Sequence, residues 1–150
     1  MLISKALIRA FFIGTAVLLI ASPSIVLAED YIQLNASLLF DLVNKHRLEL
    51  NLLPFQKDER ICQIAESRTP QLYDEIFAQG TMHKGFYERN LSYWATENMI
   101  YMRNEKEALD WWLNSYIHRQ AIESNHPYSC IACTEQACSA IFTSFLPKYK

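Results

Sequence analysis

The chain has 150 residues, 51% of them hydrophobic and 20% charged, with 14 Lys and Arg against 16 Asp and Glu. That size suits one domain with a single core rather than a multidomain assembly. The slightly acidic balance argues against nucleic acid or an anionic membrane surface as the main partner.

The first 28 residues stand apart. Lys5 and Arg9 precede an apolar run from Ala10 to Ile20, Ser22-Pro23-Ser24 interrupts it, and Val26-Leu27-Ala28 leads into Glu29-Asp30. A basic start, a short apolar stretch and small residues before a junction predict a secretory signal peptide cleaved after Ala28. Pro23 and its flanking serines leave too short a run for a spanning helix, which needs about 20 apolar residues. Cleavage removes two basic residues and no acidic one, so the domain expected over residues 29–150 carries 12 basic and 16 acidic side chains, a net charge of minus four. A secreted or periplasmic location follows.

Leu34, Leu38, Leu42 and His46, with Leu39, Val43 and Leu50 beside them, repeat at helical spacing and predict a first helix from Leu34 to Leu50. Asn51 to Pro54 ends it. Asp58 is the expected N-cap of a second helix whose inner stripe is Ile61, Ile64, Ala65 and the aliphatic stem of Arg68, with Cys62 on its edge. Pro70 kinks or restarts that helix, and Leu72, Tyr73, Ile76 and Phe77 extend the apolar face to a stop at Gly80.

A loop carrying His83 and a buried strand near Asn98 to Met102 are expected next. Asn104 and Glu107 form a capping-box-like start to a third helix, predicted over Glu105–Ile122 and ended by Asn125-His126-Pro127. On it Trp111, Ser115, His118 and Ile122 fall within about 60 degrees of one another, while Leu109, Leu113 and Tyr116 project to the opposite side, as in a helix sandwiched between two layers. Ser129–Cys133 and Cys138–Leu146 read as a hairpin around Thr134-Glu135-Gln136. The expected class is α+β, a three-layer α-β-α sandwich with a small, mainly antiparallel sheet between helices.

Cys62, Cys130, Cys133 and Cys138 all lie in the exported part, where thiols pair. Four cysteines allow three connectivities. Cys138 facing Cys133 or Cys130 would staple the hairpin, leaving Cys62 for the remaining thiol or unpaired. His126 with Cys130, Cys133 and Cys138 also has the composition of a tetrahedral structural zinc site, a reading that competes with disulfides.

His83, Glu97-Asn98 and Trp112-x-x-Ser115-x-x-His118-Arg119 supply two imidazoles and a carboxylate. If these converge, His83, Glu97 and His118 could hold a divalent metal such as zinc with an open position for water. No closely spaced ligand pair such as HExxH is present, and Ser115 and Ser139 lack the acid and histidine context of a nucleophile. A buried Glu97 must be paired or functional, because an unpaired buried charge costs several kcal/mol. Arg119 is expected to pair with a carboxylate or cap carbonyls.

From Leu38 to Phe145 the pattern resembles the CAP superfamily of cysteine-rich secretory proteins, antigen 5 and pathogenesis-related 1 proteins, in particular its small bacterial SCP-like branch. The resemblance rests on Asn44-x-x-Arg47, Leu53-Pro54-Phe55-x-x-Asp58, His83, Glu97-Asn98 and Trp112-x-x-Ser115-x-x-His118-Arg119-x-x-Ile122. It implies an α-β-α fold and a cleft lined by His83, Glu97, Asn98, Ser115 and His118. Ser115 stands where the animal and plant branch has a second glutamate, and that branch's strand histidine has no counterpart, so the two-His, two-Glu tetrad is incomplete. The expected function is therefore an extracellular module binding a lipid, peptide or protein. The alternatives are a metal-assisted hydrolase of exported peptides or cell-envelope material, and a structural or protein-interaction domain.

Overall fold

The structure, a computed structural model, describes residues 33–146. The signal peptide expected over Met1–Ala28 lies outside the described residues. Among them no helix is long and apolar enough to cross a membrane.

Helix α1 spans Ala36–Glu49, starting two residues later than the periodicity predicts because the Asn35 side chain accepts the Leu38 N–H as its N-cap. It buries Leu39, Phe40, Val43 and Arg47, whereas Leu38 and Leu50 are exposed. Leu34 enters the same core ahead of the helix. The Asn44 side chain both donates to and accepts from the Phe55 backbone, at 3.2 and 2.7 Å. Buried Arg47 stacks over the Phe55 ring and donates to the carbonyls of Leu53, Ile122 and Ser124. Asn44 and Arg47 thus tie α1 to the chain leaving it.

Helix α2, Glu59–Tyr73, is N-capped by Asp58 as expected. It runs through Pro70 without restarting. Pro70 has no N–H for the Glu66 carbonyl, and the Thr69 hydroxyl donates there instead, at 3.0 Å. A π-helical turn over Asp74–Ala78 follows, and Gly80 ends it at φ 59°, a backbone conformation suited to glycine.

Strands β1 (Ala95–Tyr101), β2 (Tyr128–Thr134) and β3 (Ala137–Thr143) form an antiparallel sheet of order β1-β3-β2. β1 starts three residues earlier than predicted. The two-residue side-chain period divides β3 between two cores. Cys138, Ala140 and Phe142 pack with Leu39, Val43 and Trp112 on the α1 side, and Ile141 packs with Ile61 and Ala65 on the α2 side. Helices therefore cover both faces, and β3 is buried along its whole length. The α+β, three-layer α-β-α arrangement with a small antiparallel sheet is the one present.

The predicted helix over 105–122 is two helices. Helix α4, Glu105–Asn114, is N-capped by Asn104, and α5 covers Tyr116–Ile122. Ser115 between them is extended, at φ −95° and ψ 119°. The two-sided apolar helix is accordingly corrected: α4 buries one stripe, Ala108, Leu109 and Trp112, while Trp111, Tyr116 and Ile117 are exposed. Trp112 donates through Nε1 to the Met99 carbonyl at 3.1 Å, locking α4 against β1. Arg119 donates to the Leu113 carbonyl at 3.0 Å, taking the carbonyl-capping option of the two expected.

Cys62 pairs with Cys130, joining α2 to β2, and Cys133 pairs with Cys138, its direct partner across the hairpin. All four sulfurs are consumed, which overturns the zinc reading of the hairpin cysteines with His126.

Candidate functional site

Glu97 lies on β1 with its side chain wholly buried on the face that packs against α2. Opposite it, Arg68 projects from α2, also with a wholly buried side chain. Arg68 Nε donates to Glu97 Oε1 at 2.8 Å and Nη2 to Oε2 at 3.2 Å. The guanidinium also forks onto Glu75, Nη1 to Oε1 at 2.8 Å and Nη2 to Oε2 at 2.9 Å, and donates to Gln71. One buried cation thus bridges two buried carboxylates. Charge-assisted, two-pronged bonds of this kind are what make such burial tolerable.

Ser139 on β3 donates to Glu97 Oε1 at 2.7 Å, and His83 Nδ1 meets Glu97 Oε2 at 3.0 Å. Burial pushes the Glu97 carboxyl up, but hydrogen bonds from His83, Arg68 and Ser139 outweigh it and hold the group below the usual carboxylate range. Glu75 is likewise held low: its burial is outweighed by Arg68 and by the Gly85 N–H, which donates at 2.8 Å. An ionised carboxylate can only accept, so His83 donates from Nδ1. In its neutral form the ring therefore presents a bare Nε2 outward.

His83 precedes the short helix α3, Lys84–Tyr87, and has a left-handed φ of 64°. Two residues on, a Cβ at Gly85 would overlap the ends of Gln71, Arg68 and Glu75. Those ends are fixed by the ion cluster and cannot swing aside. Gly85→Ala is expected to destabilise the fold by about 1–3 kcal/mol, the ordinary cost of overpacking, and to shift the His83 amide resonance. Urea denaturation and an amide NMR spectrum check both; an unchanged midpoint and spectrum would contradict the close approach.

His118, on α5, is near enough to His83 for the two rings to interact electrostatically. Its Nδ1 lies 2.7 Å from the Ser115 hydroxyl, and its ring packs on exposed Trp111 with centroids 4.9 Å apart. His83 is flanked by exposed Tyr87, with centroids 6.3 Å apart. Half-burial lowers the His118 pKa from the ordinary 6.5, and the nearby charge of His83 lowers it further. Asn98, expected to line a cleft, is buried instead: its amide donates to the His118 carbonyl at 3.0 Å, fixing α5 to β1.

The structure thus brings His83 and Glu97 into contact, and His118 with Ser115 close by. It does not bring His83, Glu97 and His118 together as a three-ligand metal cage. Among the described residues no three His, Cys, Asp or Glu side chains are grouped to hold a metal ion. The physical reason is Arg68, which neutralises Glu97 and, with Ser139 and His83, occupies both its oxygens. Two imidazoles fall short of the three protein ligands of a catalytic zinc, so the donor set does not fit a resident zinc. Arg68, Glu75, Gly85 and Ser139 were not anticipated as site residues. A buried stripe containing an arginine three residues before Gln71 and seven before Glu75 was the available signal.

The pH dependence of stability follows from these shifts. His118 and His126, the latter also lowered by burial and then by Arg47, take up protons more readily in the unfolded chain, so stability falls as the pH drops below about 6.5. Glu97 and Glu75 have folded pKa values below the ordinary 4.5, so their contribution is complete above 4.5 and is lost as the pH falls through the folded values. Melting temperature is expected to be level above pH 7, to decline below 6.5 and to decline more steeply below 4.5. Differential scanning calorimetry across pH 3–8 checks it, and a profile that rises on acidification would contradict the assignment.

No protein-family profile matches the chain, and no curated protein matches it in sequence. Solved structures do. A cysteine-rich secretory protein of Staphylococcus aureus aligns at TM-score 0.60 and 17% identity, covering 73% of this chain. An extracellular protein containing an SCP domain, from Bacillus anthracis, aligns at 0.59 and 20% identity over 72% of this chain. An outer surface protein of Borrelia burgdorferi aligns at 0.56 and 16% identity over 71%. The chain spans 38% and 39% of the first two proteins and 89% of the third. At these identities the likeness is one of fold, and the fold is CAP-like.

Proposed function

We propose that this chain is an exported binding module whose site is the pair of imidazole edges of His83 and His118, taking an extracellular lipid, peptide or protein group without transforming it. Export is supported by the signal-like first 28 residues, by two disulfides, and by the secretory, extracellular and outer-surface descriptions of the similar structures.

The observation that carries the binding reading is the state of Glu97. Among the described residues it is the one carboxylate touching either histidine, and both its oxygens are bonded to Arg68, Ser139 and His83. A general base needs a pKa near the working pH and a free lone pair. Glu97 is held away from both conditions. Beside it stand two imidazoles, each next to an exposed aromatic ring, Tyr87 at His83 and Trp111 at His118, groups suited to holding a ligand by hydrogen bonds and ring contacts.

The test exposes the exported protein to solubilised cell-wall fragments, a defined peptide mixture and phosphatidylglycerol vesicles, and examines what is retained by mass spectrometry. The expected result is a component retained intact by the wild type and lost from the folded His83→Ala/His118→Ala double variant. Recovery of shortened fragments would favour the hydrolase reading, with the two histidines binding a metal supplied from outside. Retention that survives the double variant would leave the cleft a structural feature.

A further inference from the structure

We propose a second recognition site at the opposite end of β1 from Glu97: the pocket between the C-terminal part of α2 and the hairpin end of the sheet receives an arginine side chain of an extended partner peptide. Tyr101, Ala137 and Thr134 are register partners and form the last row of the sheet. Thr69, Pro70 and Tyr73 of α2 lie over that row, and Glu135 of the turn stands at the rim. The cavity is about 200 Å³. That is below the roughly 300 Å³ at which pockets for whole small molecules begin, and it suits one inserted side chain.

Its chemistry is specific in sign. Two tyrosine rings and a proline ring make the walls, Glu135 supplies a carboxylate with no ion-pair partner among the described residues, and no basic side chain lines it. A planar guanidinium both stacks on aromatic faces and pairs two-pronged with a carboxylate, which a lysine ammonium does less well. Glu135 also holds a left-handed φ of 51°, a conformation that Gly or Asn adopts with less strain.

The walls are already in place. Tyr73 and Phe77 are 56% and 55% exposed, yet their rings pack on each other at 5.0 Å and on Tyr101 at 6.2 and 4.9 Å. Rings buttressed this way lose little freedom when a ligand arrives. Tyr101 also lines a second depression of about 500 Å³, together with Met102, Arg103, Glu107 and Gln136. Two hollows that share Tyr101 give an extended peptide a continuous path, one arginine in the narrow hollow and flanking residues in the wider one, whereas a lipid headgroup would need only the first.

The test is an amide NMR titration of the exported protein with the acetylated, amidated pentapeptide Gly-Ser-Arg-Ser-Gly, beside its Glu-centred counterpart and choline chloride. Saturable shifts at Tyr73, Tyr101, Thr134 and Glu135 are expected with the arginine peptide alone, with affinity reduced about tenfold or more in Glu135→Lys, where attraction becomes repulsion. Tyr73→Ala, at an exposed position, is expected to weaken binding in the same way. The His83→Ala/His118→Ala variant is expected to bind the arginine peptide as the wild type does, which separates this site from the histidine cleft. The proposal is overturned by unsaturable shifts, by equal affinity in Glu135→Lys, by equal binding of the Glu peptide, or by choline matching the arginine peptide.

Discussion

Arg68→Met is expected to cost the fold about 3–5 kcal/mol, because it leaves two buried carboxylates facing each other without a cation. The arginine and both acids have side chains that are at most 5% exposed, so water cannot replace the lost partner. Removing the charges as well should restore much of the loss, since well-packed neutral groups substitute for buried ion pairs at little cost. The triple variant Arg68→Met/Glu75→Gln/Glu97→Gln is therefore expected to melt well above Arg68→Met alone. Guanidinium denaturation of the two variants decides it; equal stability of Arg68→Met and wild type would mean that the cluster is not closed in solution.

The second large effect concerns the disulfides, which are unequal despite similar chemistry. Cys62–Cys130 closes 68 residues and Cys133–Cys138 closes five. Loop-closure entropy makes the first worth about 4 kcal/mol and the second about 2 kcal/mol. Cys62→Ser/Cys130→Ser is expected to lower the melting temperature about twice as far as Cys133→Ser/Cys138→Ser. The longer bridge also ties α2, the helix that carries Arg68, to the sheet that carries Glu97. The reverse order of melting temperatures would show that the hairpin staple contributes more than its loop length implies.

Features encoded within a few residues were legible in the sequence. Asp58 and Asn104 announce helix starts because a short polar side chain satisfies N–H groups two or three positions ahead, and Gly80 announces a stop because it alone tolerates the left-handed turn cheaply. The break at Ser115 was not legible, since neither proline nor glycine marks it and the apolar spacing continues across it. Arg68 was legible only as an aliphatic stem on an inner stripe. Its role depends on Glu97, 29 residues away, and no local periodicity records a partner at that distance. His83, Glu97 and His118 were found through their resemblance to a known pattern, while the groups that decide what Glu97 can do, Arg68 and Ser139, carried no such signature. The disulfide pairing likewise needed the register of the hairpin, which sets Cys133 directly opposite Cys138 and so leaves Cys130 for Cys62.

The central claim is that the Arg68-bound Glu97 carboxylate holds His83 by Nδ1 and leaves its Nε2 free for a ligand. Long-range proton–nitrogen correlation of the histidine rings at pH 7.5 reads this directly. A His83 ring that carries a proton at Nδ1 against Glu97, and loses that preference in Glu97→Gln, is the result predicted; a ring protonated at Nε2 with Nδ1 bare would contradict it.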